Sequence, residues 1–221
     1  MKLFFSALTK FLVGLLLVAV LIFLPAGTMA YPGGILFLCL LFVPMLIMGV
    51  VMMISARDLL RKRLDAKEKQ AAQKGVQSLS GLVFIAGFVL AGLDFRWSWS
   101  QVPTAVTVAA SAVFLIGYGL YAEVMRENAY LSRTVKVEEG QTVVSTGLYG
   151  IVRHPMYLAS ILMFLTIPLV MGSWYALIPF ALYPALMVVR IKDEEKLLTA
   201  ELAGYEAYKS KVKYRLIPFV W

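Results

Sequence analysis

Pro155-Met-Tyr-Leu-Ala-Ser-Ile-Leu-Met-Phe-Leu-Thr-Ile-Pro-Leu-Val-Met171, then Gly172-Ser173, then Trp174-Tyr-Ala-Leu-Ile-Pro-Phe-Ala-Leu-Tyr-Pro-Ala-Leu-Met-Val-Val189, is a pair of apolar runs parted by two small residues. So short a connection predicts a tight helical hairpin. The solvent for that hairpin follows from the whole chain, which is 61% hydrophobic and 15% charged with a mean hydropathy of +0.80. Those values lie far from a soluble domain and describe a membrane protein.

Upstream of the hairpin the same pattern recurs four times. Runs of about Phe4 to Leu24, Gly34 to Ser55, Leu79 to Leu93 and Thr104 to Met125 approach the roughly 30 Å needed to cross hydrocarbon. The third is short, with Trp97 and Trp99 placed as interfacial anchors. The fold class expected is therefore an all-α integral membrane protein of about six transmembrane helices. Residues 1–122 form a scaffold of four helices, and residues 123–221 gather the charges, Tyr, His and Pro that chemistry needs.

Orientation follows from the basic residues, because positively charged loops stay on the cytoplasmic face. The amino-terminal segment, the loop from Arg57 to Lys74, the segment from Arg126 to Arg153 and the tail from Arg190 hold 20 of the 21 Lys and Arg; Arg96 is the exception. Six crossings with both termini inside put all four segments on one side, whereas five do not. Lys2 before an apolar stretch and Thr28-Met29-Ala30 loosely imitate a signal peptide, but the stretch is longer than a signal core, so a retained anchor is expected. A prokaryotic chain of this kind would sit in the inner or plasma membrane.

The net charge of +8 is accounted for by this topology and by attraction of Arg61, Lys62, Arg63 and Lys67 to anionic head groups, so no nucleic-acid partner is expected. Cys39 is the only cysteine and lies inside the second run, which leaves no disulfide and no thiolate metal site. No strand precedes a G-x-G-x-x-G; Gly117-Tyr-Gly119 falls inside an apolar run, where small residues serve helix packing.

The chemistry-bearing stretch is Gly147-Leu-Tyr-Gly-Ile-Val-Arg-His-Pro-Met-Tyr157, where the chain's one histidine meets a helix start. Pro155 suits the first helical position and forces its predecessor extended, so His154 sits at a helix N-terminus, a place for a carboxylate or another anion. Its alternative is a capping role. Before it, Thr134-Val-Lys-Val137 and Thr142-Val-Val144 flank Glu138-Glu-Gly-Gln141 and predict a small surface hairpin. After the last crossing, Arg190 and Glu194 share one helix face and Glu195 points elsewhere. A simple i,i+4 ion pair or a topology anchor explains that pair equally well. Tyr205, Tyr208, Tyr214 and Arg215 read as an interfacial amphipathic segment.

Together, Gly147-x-Tyr149, Arg153-His-Pro-x-Tyr157, the hairpin, Arg190 with Glu194-Glu195, Tyr205-x-x-Tyr208 and Leu216-Ile-Pro218 resemble the isoprenylcysteine carboxyl methyltransferase family, itself similar to the membrane phospholipid N-methyltransferases. The resemblance covers roughly the last 90 residues. It implies methyl transfer from S-adenosyl-L-methionine at the cytoplasmic membrane face. It places the cofactor on Gln141, Thr142, Val143, Val144, Tyr149, His154, Pro155, Met156, Tyr157 and Glu194. Glu194 pairs with its ammonium, the start of the helix at Pro155 receives its carboxylate, and Tyr149 and Tyr157 wall the adenosine. Arg190 faces the acceptor, and its cost at membrane depth argues for such a role. An ionised carboxylate acceptor needs no base; an amine does, and His154 or Glu195 stand nearest. The expected acceptor is an amphiphilic, lipid-linked small molecule such as a prenylcysteine carboxylate or a lipid amine. Two other readings are an NADPH-dependent reductase of the sterol-reductase type and a non-enzymatic protein that binds membrane lipids. Neither the oligomeric state nor a metal follows from the sequence.

Overall fold

The computed structural model describes residues 1–65, 71–132 and 134–221, and among them the chain is all-helical. The expected head-group contact of Lys67 lies outside the described residues. Among the described residues four helices are long and apolar enough to cross a membrane: α1 (Lys2–Ala26), α2 (Pro32–Ser55), α4 (Ala71–Trp97) and α5 (Thr104–Glu127). A short basic helix, α3 (Arg57–Leu64), separates α2 from α4 and buries Leu59 and Leu60. The third apolar run is not a short helix. The polar residues before Leu79 continue it, because Gln and Lys are good helix formers and tolerate a helix end outside hydrocarbon.

The hairpin forms, but its arms differ. The first arm is α6 (Pro155–Met171), 17 residues or about 25 Å, ended by left-handed Gly172. The second arm is interrupted. After a turn at Trp174 come α7 (Leu177–Phe180), two more residues in helical conformation, and α8 (Tyr183–Glu201). Pro179 and Pro184 explain the break, since each removes an N–H from the ladder. The tail adds α9 (Tyr205–Lys211).

The core is aromatic and sits between α1, α2, α4, α5 and the hairpin. Phe37, Phe114 and Phe180 are fully buried in it, with Phe84, Phe88 and Phe164 in ring contact around them. Close approach of α5 to α6 depends on Gly117, where a Cβ would come within 2.8 Å of Met163 Cγ; Gly119 faces open space.

Contacts sort the loops into two ends. At one end, Tyr31 donates to the carbonyls of Met171 and Ala91, and Trp174 binds Ser100 and Gln101. Buried Asp94 is the centre of that end, accepting from the Ser100 N–H and from the hydroxyls of Ser100 and Ser173 at 2.5–2.7 Å. At the other end lie α3, the loop between α5 and α6, and the tail. Lys62 and Arg63 of α3 donate there to the carbonyls of Ala129 and Ser132.

Candidate functional site

That second end holds a pocket with about 830 Å³ of atom-free space, its open mouth included. Its wall begins where α5 stops. Asn128, Tyr130, Leu131, Ser132 and residues 134–136 form one side, and Gln141, Thr142, Val143 and Val144 return along it. The small hairpin expected here is a turn without a ladder. Gln141 N–H reaches the Glu138 carbonyl and the Glu138 N–H reaches Gln141 Oε1, but no strand pairing flanks them among the described residues. The reason lies in the neighbours: Val137 and Val143 pack on Leu202, Tyr205, Tyr208 and Val212 of the tail instead of ordering against each other.

A single 3₁₀ turn, Gly147–Gly150, then delivers Tyr149. Gly147 has a φ of +47°, and a Cβ on it would lie 2.3 Å from the Glu127 carboxylate, which binds Thr146 and the Leu148 N–H. Only glycine fits there without displacing that carboxylate. Tyr149 is buried, its hydroxyl accepting from Asn128 Nδ2 and its carbonyl accepting from the Tyr208 hydroxyl. Burial holds its phenol, like those of Tyr205 and Tyr208, above the ordinary range, so all three are neutral.

Arg153 and His154 close the loop onto the tail. Their N–H groups donate to the carbonyls of Tyr214 and Arg215, and Arg153 Nη1 donates to those of Val212 and Lys213. Both side chains meet Glu195: Arg153 Nε lies 2.7 Å and His154 Nε2 3.2 Å from Oε1, while Arg215 Nε lies 2.8 Å from Oε2. Burial pushes the Glu195 carboxyl up, but the hydrogen bonds from His154, Arg153 and Arg215 outweigh it and hold the group well below the usual carboxylate range.

α8 forms the facing wall. Arg190, Glu194 and Leu198 are four apart and line the pocket, with Leu202 just beyond the helix on the same side. Tyr157 bridges Arg190 and Glu194. Arg190 Nε donates to the Tyr157 hydroxyl at 3.0 Å, and that hydroxyl donates to Glu194 Oε2 at 2.5 Å. Arg190 Nη1 also reaches Gln73 Oε1, 3.0 Å away on α4.

The pocket thus brings together Gln141, Thr142, Val143, Val144, Tyr149, His154, Met156, Tyr157, Arg190 and Glu194. It does not include Pro155, whose ring faces a separate apolar cleft, or Glu195, which faces the opposite side of α8. Sequence reasoning passed over Asn128, Tyr130, Leu198, Leu202 and Gln73. The 190/194/198 spacing contained a signal for Leu198; nothing local marks Gln73, which lies 117 positions from its partner. Tyr205 and Tyr208 read from sequence as a membrane-surface belt, yet both are buried in the pocket wall, and among the described residues the Tyr205 hydroxyl has no hydrogen-bond partner. No cluster of three metal-ligating side chains occurs among the described residues.

Residues 108–200 match the model of the isoprenylcysteine carboxyl methyltransferase (ICMT) family. Over 91 residues the chain is 33% identical to the mouse (Mus musculus) Delta(14)-sterol reductase TM7SF2, an alignment covering 40% of this chain and 22% of that protein. The chain therefore spans about a fifth of that relative's length.

Proposed function

Because residues 108–200 match the model of the isoprenylcysteine carboxyl methyltransferase family, we propose that this integral membrane protein transfers a methyl group from S-adenosyl-L-methionine to an amphiphilic, lipid-linked acceptor. The observation that carries the reading is the convergence of Glu194, Tyr149 and the start of α6 on one pocket.

Each part of the cofactor has a counterpart in this wall. The Glu194 carboxylate suits an ammonium, and the N-terminus of α6 suits a carboxylate. Tyr149 and Tyr157 offer faces for an adenine. The sulfonium supplies an already activated methyl group, so the chain's own work is alignment and exclusion of water. Arg190, held by Tyr157 and Gln73, orients the acceptor's carboxylate or phosphate. A carboxylate acceptor attacks as it stands; an amine first loses a proton. Glu195, with both oxygens engaged, positions the rim and takes no proton from substrate.

In this reading residues 123–221 are the catalytic part, residues 1–122 the scaffold that lends Gln73, and the pocket and both termini face the cytoplasm across six crossings. Isothermal titration of detergent-purified protein with S-adenosylmethionine tests it. Glu194→Ala and Tyr157→Ala should weaken binding about 10- to 100-fold, the value of a charge-assisted hydrogen bond; no heat with wild type refutes it. The sterol-reductase match favours a second reading, in which the pocket takes NADPH. Stabilisation by NADPH and not by S-adenosylhomocysteine decides for that one.

A further inference from the structure

The helix that walls the cofactor pocket has a second working face. Lys192, Glu195, Lys196, Thr199 and Ala200 lie along the opposite side of α8 and, with Lys209 of α9 and Arg215 of the tail, line a separate open cleft. Four cations converge on it. Glu195 is there too, but its charge is spent on Arg153 and Arg215. Lys196 and Lys209 have outward ion pairs, to Asp193 at 3.5 Å and Glu206 at 3.1 Å, and Lys209 also reaches Thr199. Exposed pairs of that kind contribute little and exchange readily. Lys192 has no partner among the described residues.

Arg215 gives the cleft its specificity. Its Nε is fixed on Glu195 at 2.8 Å and its guanidinium lies over the Trp221 ring at 5.1 Å, while neither Nη makes a hydrogen bond among the described residues. A guanidinium oriented in this way presents its fork to an oxyanion at little entropic cost. Depth identifies the source of that anion. The apolar part of α8 ends at Val189, so Lys192 and Lys196 stand about 5–10 Å beyond it at 1.5 Å per residue, the level of lipid head groups.

We propose that this cleft binds the phosphate of an anionic membrane lipid through Arg215, Lys192, Lys196 and Lys209. The site is independent of the methyl-transfer reading and stands whether or not S-adenosylmethionine binds.

Thermal melting of the purified protein in zwitterionic detergent micelles tests it, with phosphatidylglycerol, phosphatidylcholine or inorganic phosphate as the added probe. Phosphatidylglycerol should raise the wild-type Tm by about 5 °C, as a ligand near 100-fold above its Kd does, and the other two should not. Lys192→Gln/Lys196→Gln/Lys209→Gln should melt like wild type with phosphatidylcholine and lose most of the shift. Lys2→Gln/Lys211→Gln/Lys213→Gln, which removes the same charge elsewhere, should keep it. An equal shift in the first triple variant, or an equal loss in the second, overturns the site. The full shift with inorganic phosphate alone overturns the lipid assignment.

Discussion

Glu195 holds two arginines and a histidine on two oxygens, and its proton affinity is lower folded than unfolded. A carboxyl so depressed contributes stability above its unfolded pKa and loses it as pH falls toward the folded value. The Tm of wild type should therefore decline as pH drops below the ordinary carboxylate range. Glu195→Gln should show a shallower acid decline and, at neutral pH, a loss of about 3 kcal/mol, the cost of leaving buried Arg153 without its counter-charge. Gly147→Ala should cost about 1–3 kcal/mol in chemical denaturation, through its left-handed backbone and the clash with Glu127. Single residues were legible in the sequence where local rules act. Pro155 starts α6, and Arg190 and Glu194 share a face. Tyr205 was misjudged because an amphipathic aromatic segment reads the same against a membrane and against a pocket; only the tail's path decides.

At the scale of elements, α8 is a partition whose two faces carry different chemistry, 190/194/198 toward one pocket and 192/195/196/199 toward the other. One alanine inserted after Ile191 turns everything beyond it by 100° while keeping the helix. It should abolish S-adenosylmethionine binding by calorimetry and leave the far-ultraviolet circular dichroism unchanged. The helical hairpin and the runs of α1, α2 and α5 were readable from apolar length. The true extent of α4 was not, since polar residues at its start look like loop when hydropathy is the guide. Nor was the interrupted second arm, because an apolar stretch reads as one span whatever its prolines do to the ladder.

For the whole molecule, two long-range ties hold the hairpin: Asp94 with Ser100 and Ser173 at one end, and the tail strapped over Arg153 and His154 at the other. Asp94→Ala should lower Tm yet leave cofactor affinity within a few-fold, being remote from the pocket. A chain stopped after Lys211 should lose that affinity altogether, since Arg153 would then lack the carbonyls of Val212 and Lys213 and Glu195 would lack Arg215. Membrane class and helix pattern were open to sequence reasoning because hydrocarbon imposes them on every segment alike, but pairings such as Gln73 with Arg190 arise only once the bundle closes. The strap at residues 212–215 also sets a schedule. Those residues leave the ribosome after everything that lines the pocket, so a nascent chain can insert its helices fully and still have no site. On the proposed function, competence to bind the methyl donor arrives in one late step, and a prematurely terminated copy sits in the bilayer without competing for it.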